Sequence, residues 1–234
     1  MSRSPLHQPE FTTKWAEYDV DKANALLDEI GLTERNKDGI RLMSDGRPLE
    51  IIVETSGEDE TQLDALELIA ENWAEIGVKL FAKPSQRDNL RERAITGELV
   101  MSVWWGMENG IPTADMSPND LAPVQSESLT WHAWGDHYET KGVGGEPMDW
   151  APAQRLMELY QSWLVSKTSE EREKIWQEML QIHAEETIRI GLVSGVRQPV
   201  VIKGVKNVPL EGIYGWDPGA HYGIHRMDEF YMDE

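Results

Sequence analysis

Two adjacent indoles close a β-patterned run, Glu98-Leu99-Val100-Met101-Ser102-Val103-Trp104-Trp105, and a loop of Gly, Pro and acid follows it, Gly106-Met107-Glu108-Asn109-Gly110-Ile111-Pro112. Neighbouring residues on a strand point to opposite faces, so Trp104 and Trp105 cannot pack into the same side of a sheet. One of them is expected in the core and the other is a candidate ligand surface. Ten Trp against three Phe weights the composition toward the side chain that offers a flat contact area with one polar edge. Glu108 could give a charge-assisted hydrogen bond to a cationic group in a partly desolvated cleft, with Asn109 beside it. Trp131 and Trp134, in Trp131-His132-Ala133-Trp134, are either further stacking surfaces or anchors that pin a long loop. The candidate ligand-binding set is therefore Trp104, Trp105, Glu108, Asn109, Trp131 and Trp134. Two ligand chemistries fit it: a cationic group met by Glu108, or sugar rings whose apolar faces lie flat on indole.

Other chemistries find little support. His132, Asp136 and His137 are close in sequence, and His221 and His225 are four apart, but Gly223 weakens a helix there and no His-Glu-x-x-His motif is present. His183 lies on an apolar helical stripe, as a satisfied core histidine does. Ser194-Gly195 and Gly142-Val143-Gly144-Gly145 form no nucleophile elbow, phosphate loop or dinucleotide fingerprint. Glu185 and Glu186 face apart on a helix. No metal, cofactor or catalysis is expected. Without Cys there is no disulfide, thiolate nucleophile or thiolate-bound metal. The 22 basic and 42 acidic side chains give a net charge of -20, which repels phosphate backbones and anionic lipid, so nucleic acid is not an expected partner. No apolar run reaches the length of a membrane span, and the opening residues lack the apolar core of a signal peptide.

The elements that must position these residues can be read from periodicity. Residues 1–17 carry two prolines and no period, and read as an extended lead-in. A helix is expected over Val20 to Ile30, capped by Asp19 or Asp21 and stopped at Gly31. Turns at Asn36–Gly39 and Ser44–Gly46 bracket a short hairpin. Alternation from Leu49 to Glu54 marks a strand; Leu63, Leu66, Ile69, Ala70, Trp73 and Ile76 form the stripe of a long helix; Val78 to Ala82 is a second strand. A helix from Gln86 to Thr96 leads to the strand that carries Trp104. This β-α-β-α-β order implies a largely parallel sheet, in which ligands bind beyond the carboxyl ends of the strands. Residues 106–149 read as a long loop. Two helices follow, the first capped by Asp149 with Leu156, Leu159, Tyr160 and Trp163 inward. The second has a Thr168/Glu171 capping box and buries Ile175, Trp176, Met179, Leu180 and His183. Ile188–Val193 and Pro199–Ile202 read as strands, and residues 205–234 have no period.

The ordered set of segments resembles the carboxyl-terminal half of the family 5 extracellular solute-binding proteins, the oligopeptide- and dipeptide-binding components of ABC importers. The residues that carry the resemblance are Tyr18-Asp19-Val20-Asp21-Lys22-Ala23 with Leu26-Leu27 and Gly31, then Asp38-Gly39-Ile40-Arg41 and Asp45-Gly46-Arg47-Pro48-Leu49, then Leu68 to Leu80. They are similar to the family's "YDPEKAKALLDEAG", "DGDGI…DGKPL" and "IQ..LKEIGIKVEL", in order over roughly residues 15 to 210. The resemblance implies an α/β periplasmic-binding-protein-like (type II) lobe with a mixed, mostly parallel sheet flanked by helices and an extended C-terminal segment. It implies a ligand-binding lobe over 18–204, a segment 205–234 that returns to a first lobe, and a noncatalytic role. Family members are longer, with two lobes hinged around the ligand, so the resemblance makes this chain a fragment of a protein that works in the periplasm or outside the cell. The implied partners are a peptide or oligosaccharide and ABC permease subunits. Peptide-binding members carry a Trp, an Asp three positions on that pairs with the peptide ammonium, and a Pro four further; Trp105, Glu108 and Pro112 keep that spacing with Glu for Asp. The reading from a different class is a stand-alone acidic protein that self-associates through its aromatic tail.

Overall fold

The computed structural model describes residues 4–104, 112–192, 203–208 and 227–232. In chain order the elements are α1 (Pro9–Thr13), α2 (Val20–Glu29), β1 (Glu50–Thr55), α3 (Glu60–Glu75), β2 (Lys79–Pro84), α4 (Arg87–Ile95), β3 (Met101–Ser102), α5 (His132–Glu139), α6 (Ala151–Val165), α7 (Ser169–Glu186), β4 (Val205–Lys206) and β5 (Tyr231–Met232). Single 3₁₀ turns lie at Asn119–Leu121 and Met227–Glu229. They divide into two units. One comprises Trp15–Trp104 and Pro123–Asp149, and the other Met1–Lys14, Trp105–Ala122 and Trp150–Glu234.

The first unit is built on a parallel sheet of order β2-β1-β3. Its register runs from Glu50 opposite Lys79 to Thr55 opposite Pro84, with Val53 opposite Met101. The parallel arrangement follows from the crossovers α3 and α4, each of which returns the chain to the same end of the sheet. Val53, Leu66 and Leu90 are its buried apolar residues on these elements, with Val78 just before β2. Val53 lies on the face of the β1 alternation that also holds Ile51. The opposite face is only partly covered: Ile52 and Phe81 stand opposite each other at 47% and 43% exposure, and the Lys79 ammonium sits 4.4 Å from the Phe81 ring centre. Glu54, buried on that face, is balanced by Arg93 at 2.8 Å and Lys83 at 3.3 Å.

α2 begins where Asp19 accepts the Lys22 N–H at 2.8 Å, which resolves the two cap candidates in favour of Asp19. It ends at Ile30 before Gly31, whose φ of +91° an L side chain rarely adopts. The two turns do bracket a hairpin, through isolated antiparallel bridges Arg35–Arg41 and Leu42–Pro48. Arg41 fastens this hairpin to α2 and to the end of α3. It is buried, and its guanidinium donates to the carbonyl of Ile76 at 2.8 Å, to Asn24 Oδ1 at 2.7 Å, to Asp28 at 2.5 Å and to the Leu32 carbonyl.

The described residues of the second unit are mainly helical, with β4 and β5 paired antiparallel, Val205 opposite Met232. α6 and α7 pack together over Ala153, Leu156, Met157, Leu159, Trp176 and Met179, all buried. Two indoles fix the segment that precedes them: Trp163 Nε1 donates to the Ala114 carbonyl at 2.9 Å and Trp176 Nε1 to that of Met116 at 3.0 Å. The Thr168/Glu171 capping box opens α7 as expected. His183 Nε2 lies 2.9 Å from the Leu121 carbonyl oxygen. Desolvation lowers its pKa from 6.5 to about 4; the bond to Leu121 opposes the shift, and the charge of Arg189 adds to it. This is the setting of a core histidine.

Several expectations are corrected. Of the strand expected over 98–105, whose last residue lies outside the described ones, residues 98–104 hold only the two-residue β3, because Glu98 and Leu99 are spent on the turn after α4, both amides donating to the Arg93 carbonyl. Residues 106–149 hold the helix α5, hidden by its Gly and by the polar residues around it. Trp150, not Asp149, occupies the N-cap of α6, and no side chain caps it. Residues 188–192 are not a strand; Thr187 ends α7 in the left-handed region at φ +51°. The strand expected over Pro199–Ile202 lies outside the described residues. Within the first 17 residues Pro9–Thr13 is helical and Leu6 is buried.

A candidate ligand-binding edge

Three parallel strands bring three loop starts to one edge of the sheet. β1 ends at Thr55 and the loop after it opens with Ser56, both buried. Thr55 Oγ1 accepts the Gly57 N–H at 3.1 Å, and the Thr55 carbonyl accepts the Ser85 N–H at 2.9 Å, which extends the ladder beyond β2. On the other side Val103 N–H donates to the Glu54 carbonyl at 2.9 Å. Gly57 is required twice over: its φ is +68°, and a Cβ there would lie 2.9 Å from the Ser85 carbonyl oxygen.

Outside this backbone lattice one line of side chains crosses all three loops. Glu58, past β1, takes two hydrogen bonds from Arg87, one of them 3.0 Å from Nε. Arg87 opens α4, past β2, and its guanidinium carbon lies 5.3 Å from the centre of the Trp104 ring, past β3. Trp104 itself is half-buried. Carboxylate, guanidinium and indole thus form one stack along the carboxyl edge, where open parallel sheets bind ligands.

Of the residues expected from sequence, Trp104 is the one the described structure sets at this edge. Trp105, Glu108 and Asn109 lie outside the described residues. Trp131 is buried at the N-cap of α5, and Trp134 is half-buried one turn on. α5 is held tightly from two sides: a Cβ on Gly135 would fall 2.0 Å from the Gln125 carbonyl oxygen, and one on Gly145 2.1 Å from that of Ala133. His132 Nδ1 also meets the Ser126 carbonyl oxygen. Among the described residues no three His, Cys, Asp or Glu side chains converge to hold a metal, and His221 and His225 lie outside them. No helix among them is long and apolar enough to cross a membrane.

Glu58 and Arg87 were not singled out from sequence, although the sheet register contains the signal. Thr55 and Pro84 are partners, and Glu58 and Arg87 each follow its strand's last residue by the same offset, so equal advance along two parallel strands leaves them side by side.

Comparison with known proteins gives this edge its context. Residues 2–126 match the model described as bacterial extracellular solute-binding proteins, family 5 middle. No curated protein sequence matches significantly. Among solved structures, an oligopeptide-binding protein OppA is 28% identical with a TM-score of 0.69, covering 80% of this chain and 31% of that one. An oligopeptide-binding protein from Thermus thermophilus, complexed with a pentapeptide, is 21% identical with a TM-score of 0.55, covering 79% and 31%. A periplasmic oligopeptide-binding protein of Thermotoga maritima with bound mannohexaose is 16% identical with a TM-score of 0.53, covering 78% and 32%. The chain thus matches about a third of the length of these structures. It belongs to the family 5 bacterial extracellular solute-binding proteins.

Proposed function

We propose that this chain supplies one wall of the ligand cleft of an ABC importer's solute-binding protein, in the periplasm or outside the cell, and that the ligand is an oligopeptide. The observation that carries the reading is the 28% identity and TM-score of 0.69 to an oligopeptide-binding protein over 80% of the chain. The stacked edge at Trp104 supports it, because a flat indole at the carboxyl ends of parallel strands is where such a sheet presents a ligand surface.

The chain's work on this reading is binding, not catalysis. Contacts to ligand from this wall and from a facing lobe favour a closed state, and permease subunits read that state. Residues 18–204 form the lobe and 205–234 the returning segment. Trp104, Trp105, Glu108, Asn109, Trp131 and Trp134 are the proposed contacts, with the Glu108 carboxylate paired to the peptide ammonium.

Fluorescence titration of the full chain with tri- to pentapeptides and with cello-oligosaccharides tests this. Peptide is expected to bind weakly, since one wall makes a fraction of the contacts, and Glu108→Gln is expected to weaken it by about ten-fold. Binding of the oligosaccharide alone overturns the peptide assignment, and peptide binding indifferent to Glu108→Gln overturns the role given to Glu108.

A further inference from the structure

We propose that Glu58 and Arg87 are positioning residues for the Trp104 indole, and that this indole takes a neutral flat group of the peptide, an aromatic side chain above all, on the face turned away from Arg87. The inference rests on the peptide-binding reading above and adds to it which chemistry this subsite accepts.

Three features argue for it. Trp104 follows a strand of only two residues, β3, so the sheet ladder by itself holds the indole's backbone at one further point, the Val103 N–H to Glu54 bond. The ring is instead held from a neighbouring loop. The Arg87 guanidinium lies under one face at 5.3 Å, and that guanidinium is oriented by paired hydrogen bonds to Glu58. A guanidinium fixed by a two-point contact to a carboxylate has its plane fixed as well, which a lysine ammonium cannot achieve.

The choice of ligand group follows from the ring's electrostatics. An indole face attracts cations through its quadrupole. With one face already given to Arg87, the ring has less electron density to offer a second cation on the far face, and because Glu58 neutralises much of the Arg87 charge that loss of ring density is what disfavours the cation. A neutral flat group loses nothing by this and still gains stacking area.

The test uses the full chain with fluorotryptophan in place of Trp, the Trp104 resonance being assigned by its loss in Trp104→Phe. Fluorine NMR is read first without ligand, then with Ala-Ala-Phe-Ala-Ala and Ala-Ala-Lys-Ala-Ala, in wild type, Glu58→Gln, Arg87→Gln and Arg87→Lys. Without ligand, all three variants are expected to move the Trp104 resonance while far-ultraviolet circular dichroism stays unchanged. With ligand, the Phe peptide is expected to shift that resonance and to bind about three- to five-fold more tightly than the Lys peptide, a margin that Arg87→Gln removes. An unmoved Trp104 resonance in ligand-free Arg87→Gln overturns the positioning role whatever the peptides do. Calorimetric binding of peptide with the Trp104 resonance unshifted overturns the stacking face and leaves the proposed function standing. Absence of peptide binding by both methods overturns the stacking face and the proposed function together, while the ligand-free spectra still decide the positioning role.

Discussion

The Arg41 guanidinium places Nη2 2.7 Å from Asn24 Oδ1 while its Nε donates to the Ile76 carbonyl at 2.8 Å. One buried cation therefore joins helix α2 to the last turn of α3, across a hairpin that has only isolated bridges of its own. Its carboxylate partner Asp28 is more than half exposed, so the ion pair is screened by water and the bonds to half-buried carbonyl and amide oxygens carry more of the effect.

Removing that cation should be costly. Arg41→Ala takes a donor from the Leu32 carbonyl, and leaves the Ile76 carbonyl and the Asn24 amide oxygen to the exposed Arg35 guanidinium; about 2–4 kcal/mol of stability is expected to be lost. Asp28→Asn should cost under about 1 kcal/mol. Urea unfolding midpoints of the two variants check the order.

The acid limb of stability should carry a contribution from His183. Its native pKa is lowered from 6.5 to about 4, so between those values the unfolded chain binds the proton and the native one does not. Stability from this group is full above pH 6.5 and is lost as pH falls toward 4. The loss amounts to about 3 kcal/mol when complete. His183→Gln removes this titration, so the drop in urea midpoint from neutral pH to about pH 4.5 is expected to be smaller in the variant than in wild type.

Gly57→Ala meets both a positive φ and the Ser85 carbonyl oxygen. A destabilisation of about 1–3 kcal/mol is expected. Because Gly57 precedes Glu58, the Trp104 signal should change as well, whereas Gly39→Ala, at φ +82° with nothing within 4 Å of the added Cβ, should cost about 1 kcal/mol and leave that signal alone.

Trp176→Phe deletes the indole N–H that the Met116 carbonyl accepts and opens a small void at a fully buried site. About 2–3 kcal/mol should be lost in thermal or urea unfolding. Trp163→Phe, half-buried and bonded to Ala114 in the same way, should lose less.

How far sequence reasoning reaches can be judged from particular elements. The helices with strong stripes and explicit caps were legible: Asp19 for α2, Gly77 after α3, Thr168 with Glu171 for α7. So was the β-α-β-α-β order and, from it, the parallel sheet and its carboxyl edge. α5 was not legible, because its place depends on Gly135 and Gly145 allowing the chain to approach within a distance no Cβ permits, and local propensity carries no record of such packing. Nor was the shortness of β3, since the residues before it satisfy their amides on the turn after α4 instead of on a neighbouring strand.

By itself the sequence determined what depends on local order: the helices with a clear stripe and cap, the order of the parallel strands, that Trp104 lies at the end of one of them, and the family resemblance. Tertiary structure alone decided which side chains from distant segments meet. Glu58, Arg87 and Trp104 stand in one stack because the β1–β2 register and the β1–β3 pairing set three loop starts side by side. Arg41 is a buried hub because α2 and α3 happen to present their carbonyls to the same point. Side-chain periodicity encodes the face a residue takes within its own element; the register between elements, which sets distances of a few ångströms across the fold, is fixed only once those elements pack.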